Sequence, residues 1–193
     1  MKIAVYGAAS QLIDAVYIEK VEKLGEEMVE RGHSLVFGGG GHGLMGAVAR
    51  GVKRANGHIL GVIQDFFIDQ KIEKICDFCD EMLTPITMRE RKQIMEDRSD
   101  AFIIVPGGIG TYEEFFEILT LKQLCRHNKP IAIYNIDGYY NELIAAMNEA
   151  VNKKFIRPMC MEIFKVFDNT KELFEYVETP VTEELNISEL KNG

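Results

Sequence analysis

Short apolar runs alternate with longer segments whose apolar residues recur every three or four positions, from the start of the chain to about residue 177. The runs at 2–6, 34–37, 58–63, 101–105, 131–134 and 163–167 are apolar at nearly every position, and a weaker run lies at 81–86. Continuous apolar runs of this length predict strands buried on both faces, because a sheet with one wet face would alternate polar and apolar positions. The segments 12–31, 44–55, 87–99, 112–127, 139–152 and 169–177 predict helices, with Gly32 and Asn56-Gly57 closing the first two. Residues 65–77 lack periodicity and predict a loop with one helical turn.

Strand following helix in this way predicts an α/β, Rossmann-like three-layer fold: a parallel sheet with helices on both faces. Such sheets bind ligands beyond the carboxyl ends of their strands, where the strand order reverses. The expectation is a single nucleotide-binding domain over 1–178, followed by an acidic, loosely held tail over 179–193. At 193 residues the chain is long enough to bury a two-sided sheet.

One stretch carries distinctive chemistry. Pro106-Gly107-Gly108-Ile109-Gly110-Thr111-Tyr112-Glu113-Glu114 joins a buried strand to a helix. Three glycines in four positions free the backbone to turn N–H groups toward a ligand, and the helix start adds unpaired donors and a positive dipole end. An anion site is the expected product. The acid is expected within the first helical turn. Thr111-x-x-Glu114 also reads as a capping box, with Glu114 at the third helical position, and this structural role stands open beside a catalytic one.

A second glycine loop, Gly38-Gly39-Gly40-Gly41-His42-Gly43-Leu44-Met45-Gly46, follows the second strand. Gly41-x-Gly43-x-x-Gly46 matches the dinucleotide fingerprint, with Asp65 about 20 residues on as the ribose-binding acid would be. Its place after the second strand argues against that reading, and the lack of a Lys-Ser/Thr pair excludes a P-loop. Tight packing is expected to account for about two of the six glycines, leaving the others for close approach of a ligand. Two such loops at one sheet edge suit a mononucleotide.

The segment from Thr87 opens with Thr-x-x-Glu, a capping box. Helical spacing puts Met88, Arg91, Ile94, Met95 and Arg98 on one face, so Arg91 sits in an apolar stripe and needs an anionic partner. That partner is either a structural carboxylate or a bound phosphate, for which the planar guanidinium is suited. Lys92 offers a second positive charge.

Met88-x-x-Arg91-Lys92 followed by Pro106-Gly107-Gly108-x-Gly110-Thr111-x-x-Glu114 resembles the LONELY GUY family of cytokinin-activating phosphoribohydrolases, long described as lysine decarboxylases. The likeness runs from Met1 to about Val177 and includes the 38–46 loop and Asp137-Gly138-Tyr139-Tyr140. It implies hydrolysis of a nucleoside 5′-monophosphate, typically an N6-modified AMP, to free base and ribose 5-phosphate. It also implies a homodimer with sites near the interface and no cofactor. By motif position Arg91 and Glu114 are the residues on which activity would depend. Met88, Lys92, Gly107, Gly108, Gly110, Thr111, Gly40 and Gly43 are the substrate-binding candidates. Two positions depart from the family: Ala8-Ala9-Ser10 where Gly-Ser-Ser is common after the first strand, and Gln70-Lys71 where an Arg is common. A non-catalytic nucleotide or cofactor carrier on the same fold is the alternative; it would need the phosphate donors but not the acid.

Bulk composition changes little in this picture. A formal charge of −8 argues against a nucleic-acid partner. No apolar run reaches membrane length, so a cytoplasmic location with no membrane partner is expected. Cys76-x-x-Cys79, with Cys125 and His127, has poor spacing for zinc, and no metal site is expected. His42 in the glycine loop is expected to be a solvated turn residue.

Overall fold

A computed structural model describes residues 1–69, 74–181 and 185–190. Its elements are β1 (Lys2–Tyr6), α1 (Ala15–Glu30), β2 (Ser34–Phe37), α2 (Gly43–Arg54), β3 (Ile59–Val62), α3 (Asp65–Asp69), β4 (Glu81–Leu83) and α4 (Met88–Asp97). They continue with β5 (Ala101–Ile104), α5 (Ile109–Gln123), β6 (Ile131–Tyr134), α6 (Asn141–Asn152), β7 (Lys165–Phe167), α7 (Thr170–Glu178) and α8 (Ile187–Leu190). The seven strands form one sheet in the order β4-β3-β2-β1-β5-β6-β7, and every pairing is parallel.

The chain lays β1 down centrally, builds outward through β4, then returns to place β5 on the other side of β1. That reversal opens a crevice beyond the carboxyl ends of β1 and β5. Strands β3, β5 and β6 are buried at every position, as their uninterrupted apolar runs predict, whereas the edge strands β4 and β7 are partly exposed. Alternate strand residues feed two cores. Ile3, Val5, Leu35, Phe37, Ile103 and Val105 pack on α1, α2 and α7. On the other face Ala4, Tyr6, Val36, Val62, Phe102 and Ile104 pack on α4, α5 and α6.

Two helix glycines set the spacing of α1 against α2. A Cβ built at Gly25 would collide with the Val48 carbonyl oxygen, and one at Gly51 with the Glu22 carbonyl oxygen. The backbones therefore approach more closely than side chains allow. Glu22 flanks the contact and binds both Arg50 (2.7 Å) and Arg54 (2.8 Å).

Within the segment expected to be a loosely held tail, residues 179–181 and 186–189 are exposed, but Leu190 is anchored. Leu190 is buried beside α5 and the turn at Pro158–Met161, and its carbonyl accepts from Gln123 Nε2 at 3.0 Å and Cys160 Sγ at 3.1 Å. An apolar residue that reaches a core recess outweighs the acidic character of its neighbours. No described helix is long and apolar enough to cross a membrane.

Gly→Ala inside a helix ordinarily stabilises by about 1 kcal/mol. Gly51→Ala is predicted to do the reverse, costing about 2 kcal/mol or more through overpacking against α1. Urea denaturation of the variant checks the sign.

Candidate active site

The crevice holds a cavity of about 360 Å³ lined by the turns that leave β1, β2 and β5. This volume is that of a small-molecule site. Tyr6, Gly7, Ala8, Ala9 and Ser10 come from the end of β1, and Gly38 and Gly40 from the turn after β2. Gly108, Gly110, Thr111, Glu113 and Glu114 come from α5, and Met88 and Arg91 from α4. Met45, Ile63 and Phe67 complete an apolar side.

Helix α5 begins earlier than its apolar periodicity predicts. Gly108 is the N-cap and Ile109 the first helical residue. Thr111 is therefore the third helical position and Glu114 the sixth, in the second turn. The capping-box reading of Thr111-x-x-Glu114 fails on this geometry. Thr111 lies within the helix, 3% exposed, and Gly107 must be glycine because a Cβ there would collide with the Thr111 side chain. The first-turn N–H groups lack intrahelical acceptors, and a Cβ at Gly108 or Gly110 would meet open space. Gly110 and Glu114 are four residues apart, so they share a helix face about 6 Å apart along the axis. A side chain at 110 would project over the same face and crowd the approach to the acid.

Helix α4 supplies the partner. Thr87 caps it, its hydroxyl accepting from Glu90 N at 3.1 Å, while Glu90 Oε2 accepts from Ile86 N at 3.0 Å. The capping box predicted there is present, with the return bond one residue before the cap. Arg91 then reaches inward: Nε donates to Val62 O at 3.0 Å and Nη1 to Glu114 Oε1 at 3.3 Å. Both side chains are nearly enclosed, Arg91 12% and Glu114 13% exposed. These two bonds use two of the five guanidinium donors, which leaves capacity for an anion. Gly38 leaves room for the guanidinium in this position, since a Cβ there would displace it. Within the predicted stripe Ile94 and Met95 turn inward, whereas Met88 is 37% exposed and Arg98 faces solvent near Glu81.

Burial pushes the Glu114 carboxyl up to about 7, against the pull of Arg91. The folded state consequently binds more protons than the unfolded chain between the ordinary carboxylate range and about pH 7, so stability falls as pH rises through that window. Such a carboxyl exchanges its proton near neutrality, as general acid–base chemistry requires. Burial and the charge of Glu114 hold the Tyr6 phenol well above its ordinary range, so it remains a neutral donor beside the acid.

Three sequence candidates lie off the cavity lining. Lys92 is held by Glu113 and by Glu117 (2.8 Å). Gly107 faces a neighbouring cavity. Gly43, at φ +56°, packs beneath the carbonyls of Ala8 and Ser10. The α2 N-terminus is also occupied, since Leu44 N donates to Ala8 O at 2.8 Å and Met45 N at 3.3 Å. An anion therefore finds no open N–H pair there, and Asp65 is exposed, which disposes of the dinucleotide reading. The expectation that packing explains only two of the six glycines is likewise corrected. Gly38, Gly39, Gly41, Gly43 and Gly46 each abut protein atoms, and Gly40 lines the cavity. Tyr6, Met45, Ile63 and Phe67 line the cavity without a motif that singles them out for it; for Tyr6, its place at the end of the central strand was the available signal. Lys71 lies outside the described residues.

His42 Nδ1 lies 2.9 Å from Gln11 Nε2 and is not among the cavity lining. Cys76, Cys79, Cys125 and Cys160 are free thiols.

A family model described as possible lysine decarboxylase matches residues 45–177. Two Arabidopsis thaliana proteins named cytokinin riboside 5′-monophosphate phosphoribohydrolase are 38% and 40% identical over 177 residues. Those alignments span 92% of this chain and 77% and 81% of the relatives. Among solved structures, the molybdenum cofactor binding protein of Rippkaea orientalis matches with a TM-score of 0.68 at 20% identity, over 92% of this chain and 94% of that one. The molybdenum cofactor carrier protein of Chlamydomonas reinhardtii matches with a TM-score of 0.68 at 19% identity, over 92% and 95%. At such identity these structures speak to the fold alone. The sequence relatives carry the assignment: the chain belongs to the cytokinin riboside 5′-monophosphate phosphoribohydrolase, or LONELY GUY, family.

Proposed function

We propose that this chain hydrolyses the N-glycosidic bond of adenosine 5′-monophosphates, including N6-modified ones, giving free base and ribose 5-phosphate. The observation that carries the reading is Glu114 paired with Arg91, one helical turn beyond the open N-terminus of α5 and on the face of Gly110. A 5′-phosphate on the Gly108–Thr111 N–H groups, neutralised further by the free donors of Arg91, places the sugar along that face. The separation of about 6 Å along the axis is of the order of that between a 5′-phosphorus and the anomeric carbon. Met45, Ile63, Phe67 and Met88 supply an apolar bed for the base.

As the C1′–N bond breaks, its electron pair leaves with the base, which takes up a proton, and positive charge develops on the ribose. Ionised Glu114 faces that charge and accepts a proton from the water that adds to C1′. Arg91 favours the ionised carboxyl against the effect of burial and anchors the phosphate, so positioning and charge stabilisation act together. The described lining contains no lysine, the residue type that forms the Schiff base of a pyridoxal-dependent decarboxylase. Ala8 and Ala9 line the cavity without a hydroxyl, so binding here leans on α5 and Arg91. A homodimer in the cytoplasm remains part of this proposal. The exposure of Ile109 (88%) and Phe116 (39%) on α5 beside the site supports the dimer part of the reading.

Incubation with AMP and with isopentenyl-AMP is expected to yield free base and ribose 5-phosphate. Glu114→Gln should lower turnover by about 10²–10⁴-fold while still binding nucleotide. Bound nucleotide without any turnover by the unmodified protein would instead favour a carrier. The acid limb of kcat/KM should fall near pH 7, and Arg91→Ala should move it to higher pH by removing the charge that favours the carboxylate. An unmoved limb would detach Arg91 from the ionisation.

A further inference from the structure

Three consecutive carbonyls lead into α5, and each is held. Val105 O accepts from Tyr140 Oη at 2.8 Å, Pro106 O from Ala8 N at 3.1 Å, and Gly107 O from Tyr139 Oη at 2.7 Å. In a trans peptide the carbonyl of one residue and the N–H of the next point in opposite directions. A bond that fixes Gly107 O therefore fixes Gly108 N–H as well. The Gly107–Gly108 peptide is flanked by glycines on both sides, so local sterics alone do little to choose its orientation. Flipped over, it would present a carbonyl oxygen in place of a donor, and an anion would be repelled where it should bind.

The two sides of this peptide are distinct. Tyr139 and Gly107 line a second cavity of about 370 Å³, whereas Gly108 lines both that cavity and the one containing Glu114. We propose that Tyr139 is a positioning residue for phosphate recognition: its hydroxyl, pulling Gly107 O toward the second cavity, aims Gly108 N–H into the first. The proposal rests on the phosphoribohydrolase reading for the identity of the anion.

The architecture that delivers the hydroxyl is specific. Asp137 and Gly138 take φ of +51° and +74°, forming a turn that Asp137 ties to Lys20 Nζ at 2.5 Å. Asn135 Oδ1 accepts from Tyr140 N at 2.7 Å, and the ring of Tyr17 meets that of Tyr139 edge-on at 6.3 Å. Burial and neighbouring Tyr112 push the Tyr139 phenol up to about 12, so it stays a hydrogen-bond donor throughout the neutral range.

Tyr139→Phe tests this, because it removes only the hydroxyl and keeps the ring against Tyr17. Ribose 5-phosphate and adenine binding would be measured directly by calorimetry, alongside AMP kinetics and the thermal midpoint. Expected are a 5–10-fold weaker affinity for ribose 5-phosphate, a matching rise in KM for AMP, kcat within twofold, and unchanged adenine affinity and thermal midpoint. Ribose 5-phosphate affinity within twofold of the unmodified protein would overturn the proposal. So would equal weakening toward ribose 5-phosphate and adenine, the signature of a general structural effect. The binding arms need no turnover. Selective loss of ribose 5-phosphate affinity in a protein inert toward AMP would therefore sink the hydrolase reading and leave the clamp standing.

Discussion

The contact on which the site depends is the one between Arg91 and Glu114. Each is enclosed, and neither would be tolerated there alone, because a buried charge without a partner is costly. Their separation of 3.3 Å is longer than a tight charge-assisted bond, and burial outweighs the attraction enough to hold the carboxyl near 7. A tighter pair would leave Glu114 permanently ionised and Arg91 fully occupied. The looser one keeps the acid able to exchange a proton and leaves the guanidinium donors to bind. Much of the surrounding structure serves this contact: Gly38 makes room for the guanidinium, Val62 O orients it, and the Thr87 cap starts the helix that carries it.

The two glycine loops look alike in sequence and act differently. After β2, glycines let the chain pack against itself. Gly39 and Gly43 take positive φ, Gly46 sits beneath the Gly41 carbonyl, and the N–H groups of α2 are bound by Ala8. After β5, Gly108 and Gly110 open onto empty space, and the carbonyls that would repel an anion are drawn away. The difference is set by partners distant in sequence, namely the β1 turn in one case and the Asp137–Tyr140 turn in the other.

That contrast marks what was legible in the sequence. Uninterrupted apolar runs announced the parallel sheet, since only burial on both faces selects for them, and β1, β2 and β6 lie where those runs predict. The Thr87 cap and the inward turn of Arg91 were readable because both follow from spacing within one helix. The start of α5 was not. Glycine at N-cap gives no side-chain signal, and Thr111 with Glu114 imitates a cap three residues late. Tyr6 was marked only by its place at the end of a strand, and Phe67 carried no signal, because the strand order brings them to the cavity. Leu190 was hidden by the polarity of its neighbours. For the cavity residues and for Leu190 the deciding partner is remote in sequence.

On the proposed function, Glu114 is a buried carboxyl that exchanges its proton near neutrality and faces the sugar phosphate. The most direct test is a carbon-13 NMR titration of glutamate carboxyls in the labelled protein, with and without ribose 5-phosphate. One resonance is predicted to titrate near pH 7, to vanish in Glu114→Gln, and to shift when ribose 5-phosphate binds. Glutamate resonances that all titrate in the ordinary carboxylate range, or a neutral-range resonance indifferent to the ligand, would contradict the account.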